Sequence, residues 1–168
     1  MIVVADNGPL LHLDEIEQFS LLTCFEKVWV PVLVAKECEL YQVNLGRHVG
    51  LIEIDPNKYP VPWQLEPYLA ADVIHPAEAQ AISLALSSRI EHLLTDDAAA
   101  REAAKSVGVT PVGSLGVVLR AFEKGLIARN RAGELLDAFQ SSSLYLKPEV
   151  LRRAHELLSQ LGGEGEDV

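Results

Sequence analysis

Short, β-branched apolar runs alternate along this chain with longer segments of helical spacing, and that alternation restricts it to a parallel sheet covered by helices. Parallel neighbours cannot be joined by a tight turn, so each pair needs a crossover, which the intervening helices supply. The first run, Ile2-Val3-Val4-Ala5, has no polar interruption, as a strand buried on both faces requires, and Asp6-Asn7-Gly8-Pro9 closes it. Helical spacing follows from Leu10 to Phe25, with Leu13, Ile16 and Leu21 or Leu22 on one side and Asp14, Glu15 and Glu17 on the other. Lys27-Val28-Trp29-Val30 reads as a second strand, and Pro31 as the opening residue of a helix reaching about Tyr41. Residues 43–74, with four prolines, are the least regular, although Leu51-Ile52-Glu53-Ile54 has strand character.

The pattern sharpens after His75, which stands in an N-cap place before Pro76 and a helix to about Arg89. A strand at His92-Leu93-Leu94-Thr95 stops at Asp96-Asp97, and a helix from Ala98 to Val107 follows. Val109-Thr110-Pro111-Val112 is a short strand, Ser114 opens a helix, and two more helices lie near Arg131 to Phe139 and Pro148 to Leu161. The expected architecture is a three-layer α/β/α sandwich with a central parallel sheet. Residues 1–161 are expected to form one domain and residues 162–168 a disordered acidic tail.

With 168 residues, nearly half of them hydrophobic, the chain can bury a core without disulfides. Cys24 and Cys38 lie in apolar stretches with no CxxC spacing and no secretory leader, as expected of reduced, buried thiols in a cytoplasmic protein. No apolar run approaches the ~20 residues that span a bilayer, so no membrane role is expected. The balance of 14 basic against 24 acidic residues gives a net charge of −10, which speaks against a high-affinity nucleic-acid binder. It speaks less against an enzyme, because carboxylates that hold divalent cations count as surplus negative charge until the metal is included. The basic residues gather in the C-terminal third, from Arg120 to Arg153, where solvated helix faces account for them.

Ligands of such sheets bind beyond the carboxyl ends of the strands, and both Asp6 and the Asp96-Asp97 pair lie just past a strand end. Turn formation explains either site alone, since Asp and Asn favour strand ends; their common edge adds a functional reading. At about 100° per residue, Glu37 falls only about 40° from Leu33 and beside Val34 and Cys38, inside an apolar stripe. Glu39 falls on the outer side. Glu78 is likewise central to a stripe of Ala81, Ile82 and Ala85. A carboxylate on a core-facing stripe is costly to ionise unless it is paired or bound to metal. For Glu78 the plain alternative is a favourable interaction with the helix N-terminus, and for Glu37 a salt bridge to Lys or Arg. Four converging carboxylates would raise one another's pKa unless Mg²⁺ or Mn²⁺ neutralised them, and such a site suits phosphate chemistry. The five histidines, His12, His48, His75, His92 and His155, contain no i, i+4 pair and offer no rival metal site.

These residues resemble the PIN-domain ribonucleases, in particular the compact branch related to VapC-type toxins of toxin–antitoxin pairs. The likeness runs through Val4-Ala5-Asp6-Asn7-Gly8-Pro9-Leu10-Leu11, Val30-Pro31 to Glu37, and Pro76-Ala77-Glu78-Ala79-Gln80-Ala81-Ile82. It continues in Leu94-Thr95-Asp96-Asp97-Ala98-Ala99-Ala100-Arg101, Val112-Gly113-Ser114-Leu115 and Leu144-Tyr145-Leu146-Lys147-Pro148-Glu149. The resemblance implies a Mg²⁺- or Mn²⁺-dependent endoribonuclease with Asp6, Glu37, Glu78 and Asp97 as catalytic and metal-binding acids. Asp96 is the ambiguous neighbour among the metal ligands; Asp97 is preferred because the family's last acid follows a Thr or Ser by two positions. It further implies an RNA substrate, an antitoxin protein lying over the acidic edge, and a homodimer. Many members carry a hydroxyl or amide residue two places after the first Asp, where this chain has Gly8, and Asp where it has Glu78.

Other Asp-based folds fit less well. A haloacid-dehalogenase-type phosphatase needs a second Asp where Gly8 stands, a receiver domain has no place for acids on helical stripes, and a dinucleotide binder needs GxGxxG after the first strand. The alternative from another class is a catalytically silent PIN-like module that acts by protein binding.

Overall fold

The computed structural model describes residues 1–46 and 49–161; His48 and the expected acidic tail over 162–168 lie outside the described residues. Five strands, Ile2–Ala5 (β1), Lys27–Pro31 (β2), Val49–Ile52 (β3), His92–Leu94 (β4) and Thr110–Val112 (β5), form one sheet in the order β3-β2-β1-β4-β5. Every pairing is parallel. The helices are Asn7–Glu15 (α1), Val32–Leu40 (α2), Glu66–Ala70 (α3), Pro76–Ser87 (α4), Ala98–Ser106 (α5), Ser114–Glu123 (α6), Arg129–Ala138 (α7) and Pro148–Gln160 (α8). Helices flank the sheet as the expected α/β/α sandwich requires.

Burial explains the order. Val3, Val4, Ala5, Val28, Val30 and Leu94 are fully buried, so β1, β2 and β4 form the centre. The chain starts at β1, steps outward through β2 to β3, and then returns through α4 to place β4 on the other side of β1. The direction of winding therefore reverses between β1 and β4, where open parallel sheets leave a crevice at their carboxyl ends. Helix α4 packs across β1, β2 and β4, and the small side chains of Ala77, Ala81 and Ala85 allow that close approach. On α6, α7 and α8, buried Val117, Val118, Leu135, Leu136, Ala154 and Leu158 pack the C-terminal helices on one another. Cys24 and Cys38 are buried free thiols. Among the described residues no helix is long and apolar enough to cross a membrane.

The structure departs from the sequence expectations at several boundaries, the first helix starting at Asn7, inside the segment expected to turn, rather than at Leu10. The helical spacing from Leu10 to Phe25 is broken: α1 ends at Glu15, Glu17 adopts φ +56°, and Phe19–Cys24 is a 3₁₀ turn. The Gln18 N–H reaches back to Leu13 O at 2.8 Å, capping the helix end, while Leu21 and Leu22 stay in the core on the far side of the break. Pro31 is the last residue of β2 and the N-cap of α2 rather than its first helical residue. The third strand lies at Val49–Ile52, two residues ahead of the expected segment, because its partner turns into α2 after Pro31 and Ile52 is the last residue with anything to pair.

Candidate active site

The parallel register sets Ala5 against Leu94, and the Asp6 N–H continues the ladder to Leu94 O at 2.9 Å. Asp6 and Thr95 are therefore side by side beyond the carboxyl ends of β1 and β4. Asp6 is the N-cap of α1 and only 2% exposed; its Oδ1 accepts the Asn7 N–H at 2.7 Å and its Oδ2 the Thr95 hydroxyl at 3.2 Å. The same hydroxyl oxygen accepts the Asp97 N–H at 3.4 Å, so buried Thr95 links the first acid to the last.

Glu37 and Glu78 approach from α2 and α4, which pack against each other. The Asn7 amide donates to Glu37 Oε2 at 2.9 Å, so α1 supplies a contact to two acids from one residue. Glu78 is the third residue of α4, and its Oε2 accepts the His75 N–H at 2.7 Å in a capping box. The favourable interaction with a helix N-terminus weighed from the sequence is thus present, and it holds a half-buried carboxylate toward the other acids. Exposed Asp97 caps α5, its Oδ1 accepting the Ala100 N–H at 2.8 Å. Among the described residues, none of Asp6, Glu37, Glu78 and Asp97 has a Lys or Arg within ion-pair distance.

The electrostatics bind these four into one group. Burial foremost, then Glu78 and Glu37, pushes the Asp6 carboxyl from its ordinary 3.8 up to about 7, against the Asn7 and Thr95 hydrogen bonds that favour its charge. Glu37 is raised by burial, with His75 opposing. Glu78 is raised by burial first, with Asp97 and Glu37 adding to it and His75 opposing. Burial, Asp6 and Glu37 together push the Cys38 thiol up to about 12, so it is a packed neutral group beside the acids.

Asp96 faces elsewhere. Its Oδ1 accepts the Ser114 N–H at 2.8 Å, and its Oδ2 lies 2.7 Å from His12 Nδ1 and accepts the Ser114 hydroxyl. These contacts join α1, the end of β4 and the start of α6. Gly113 leaves room there, since a Cβ would stand 2.9 Å from Asp96 Oδ1 and 3.4 Å from Arg101 Nη1 and would displace one of them.

A family model described as a PIN domain matches residues 2–160. The chain belongs to the PIN-domain family. No curated protein and no solved structure matches it. PIN domains are typically nucleases that act on RNA or DNA, generally with divalent metals.

In this PIN domain the donor chemistry fits a hard cation, because the charged side chains nearest the buried Asp6 are the carboxylates of Glu78 and Glu37, and among the described residues no Cys/His set is gathered to draw zinc. The acids share an electrostatic space without forming a finished cage: among the described residues, no three His, Cys, Asp or Glu side chains are gathered at metal-ligand geometry. Glu78 and Asp97 are held by backbone N–H groups through one oxygen each, which leaves the second oxygen of each outside those bonds.

Thr95, Asn7, His12 and Ser114 escape the periodicity argument because each acts through a hydrogen bond to an acid from another element. Thr95 had a signal, its place two residues before Asp97 at a strand end. Ser114 and His12 had none, since only the tertiary fold brings α1 and α6 to Asp96.

Proposed function

We propose that this PIN domain is a metal-dependent endoribonuclease that hydrolyses RNA phosphodiester bonds, with Asp6, Glu37, Glu78 and Asp97 holding Mg²⁺ or Mn²⁺. One observation carries the reading: a carboxylate 2% exposed faces two further glutamates with no Lys or Arg in ion-pair reach among the described residues. Burying a charge unpaired is costly, and a bound cation converts that cost into affinity. When bound, Mg²⁺ or Mn²⁺ lowers the pKa of an attacking water and stabilises charge on the phosphoryl oxygens. The chain's own residues set the site up. Thr95 fixes the Asp6 carboxylate, Asn7 aims Glu37, and the capping bonds of Glu78 and Asp97 hold those acids at helix N-termini.

The sequence likeness to VapC-type toxins supports a place as the toxin of a cytoplasmic toxin–antitoxin pair, acting as a homodimer. The antitoxin segment would lie over the acidic edge and supply an Arg to it. A second reading, a catalytically silent PIN-like module acting by protein binding, is favoured by the structural hydrogen bonds of Glu78 and Asp97 and by Gly8. Incubating purified protein with a panel of cellular RNAs in Mn²⁺, in Mg²⁺ and in EDTA separates the two. The nuclease reading expects cleavage that EDTA and Glu37→Gln both abolish; intact RNA in both metals, with any bound antitoxin removed, supports the silent module.

A further inference from the structure

A shallow cavity of about 300 Å³ runs along α5 and the edge strand β5, lined by Arg101, Lys105, Gly108, Val109, Thr110 and Pro111. It begins beside the acidic edge. The Arg101 guanidinium donates from Nη1 to Thr95 O at 3.1 Å, and Thr95 is the residue that links Asp6 to Asp97. Lys105 stands one turn further along α5 on the same face, about 6 Å away along the helix axis. Arg101 has no carboxylate partner within ion-pair distance among the described residues, and its single bond to Thr95 O leaves other guanidinium donors available. Among the described residues Lys105 pairs only with Glu102, at 2.7 Å, both side chains being more than half exposed, and such a pair is easily exchanged for another anion.

The rim is equally informative. Thr110 and Val112 spend their backbone groups on β4 and its flanks, and Pro111 between them has no N–H to offer at the open edge. An added β-strand would find no regular ladder there. What the groove presents is two cations in a chain of net charge −10, Arg101 at the end beside Thr95 and Lys105 toward the amino end of β5.

We infer that this groove is the track of the RNA strand, with Arg101 holding the phosphate next to the scissile one and Lys105 the phosphate beyond. The inference rests on the nuclease reading for its direction but names its own site and ligand, the phosphodiester backbone of single-stranded RNA. Backbone contacts of this kind carry no base preference and are weakened by salt.

The test is fluorescence anisotropy with a short labelled oligoribonucleotide, in EDTA and in Ca²⁺, across a salt series, with RNA integrity checked on a gel. Exposed Lys105 permits Lys105→Glu without disturbing the core, and Arg101→Gln is paired with a melting curve. The groove predicts about tenfold weaker binding for Lys105→Glu, and a slope of log K against log salt reduced by about 0.7 for each cation removed. It also predicts a raised KM with near-normal kcat for Lys105→Glu. Wild-type affinity and slope in Lys105→Glu overturn the groove, and if the same preparation still cleaves RNA the nuclease reading survives. Weakened binding in the variant with no cleavage by the wild type does the reverse.

Discussion

Replacing Asp6 by asparagine should stabilise the metal-free protein, and the gain should grow with pH. The folded pKa of Asp6 is raised from 3.8 to about 7, so the native state holds a proton that the unfolded chain has lost. Stability from this group is complete below about pH 4, falls as pH rises, and levels off above about pH 7. The full shift corresponds to about 4 kcal/mol near pH 8 and about 2 kcal/mol near pH 5, as upper limits for a group this buried. Asparagine avoids that penalty, and the bonds from the Asn7 N–H and the Thr95 hydroxyl that favour the charge are already contained in the raised value. The expectation is a gain of up to about 4 kcal/mol near pH 8, or roughly 8–16 °C in Tm for a domain of this size, about half of that near pH 5 and none below about pH 4. Urea titrations of both proteins in EDTA at the two pH values measure it. An asparagine variant less stable than the wild type near pH 8, or a difference that does not change with pH, refutes the reasoning that burial and the neighbouring glutamates raise the Asp6 carboxyl.

Three further substitutions probe the surroundings. A Cβ at Gly8 would make ordinary contacts of 3.6–3.8 Å with Asp96 and His12, so Gly8→Ser should change stability by less than about 1 kcal/mol. Its hydroxyl should raise metal-dependent cleavage if the missing side chain limits the site; melting curves and cleavage rates read the two effects. The adjacent acids should part company. Asp96→Ala leaves the Ser114 N–H, the Ser114 hydroxyl and His12 unsatisfied and should cost about 3 kcal/mol, whereas Asp97→Ala removes an N-cap, costs about 1 kcal/mol and should abolish cleavage. Denaturation of both variants decides, and equal costs would undo the assignment of separate roles.

The outline of this fold is legible because it rests on burial. The unbroken Ile2–Ala5 run, the helix opened by Pro76 and the strand ending before Asp96-Asp97 all follow from where apolar side chains must go. The break of the first helix is not legible, since Glu17 carries no signal for a left-handed conformation and the apolar spacing continues through Leu21 and Leu22. In the site, the placement of Glu37 and Glu78 on apolar stripes is visible as an energetic anomaly, and both are half-buried beside Asp6. The choice between Asp96 and Asp97 is not visible in spacing, because the two differ only in which neighbour takes up the carboxylate: Ser114 and His12 for one, the Ala100 N–H for the other. Sequence places a side chain on an edge, and tertiary contacts decide which way it turns.

Whether these carboxylates converge to hold a hard cation is measured by calorimetric titration of Mn²⁺ into the wild type and into Asp6→Asn, Glu37→Gln and Asp96→Asn. Mn²⁺ should bind the wild type at millimolar concentration or below, with binding lost in Asp6→Asn and Glu37→Gln and retained in folded Asp96→Asn. Binding by Asp6→Asn equal to the wild type, or none by any of the four proteins, would contradict that convergence.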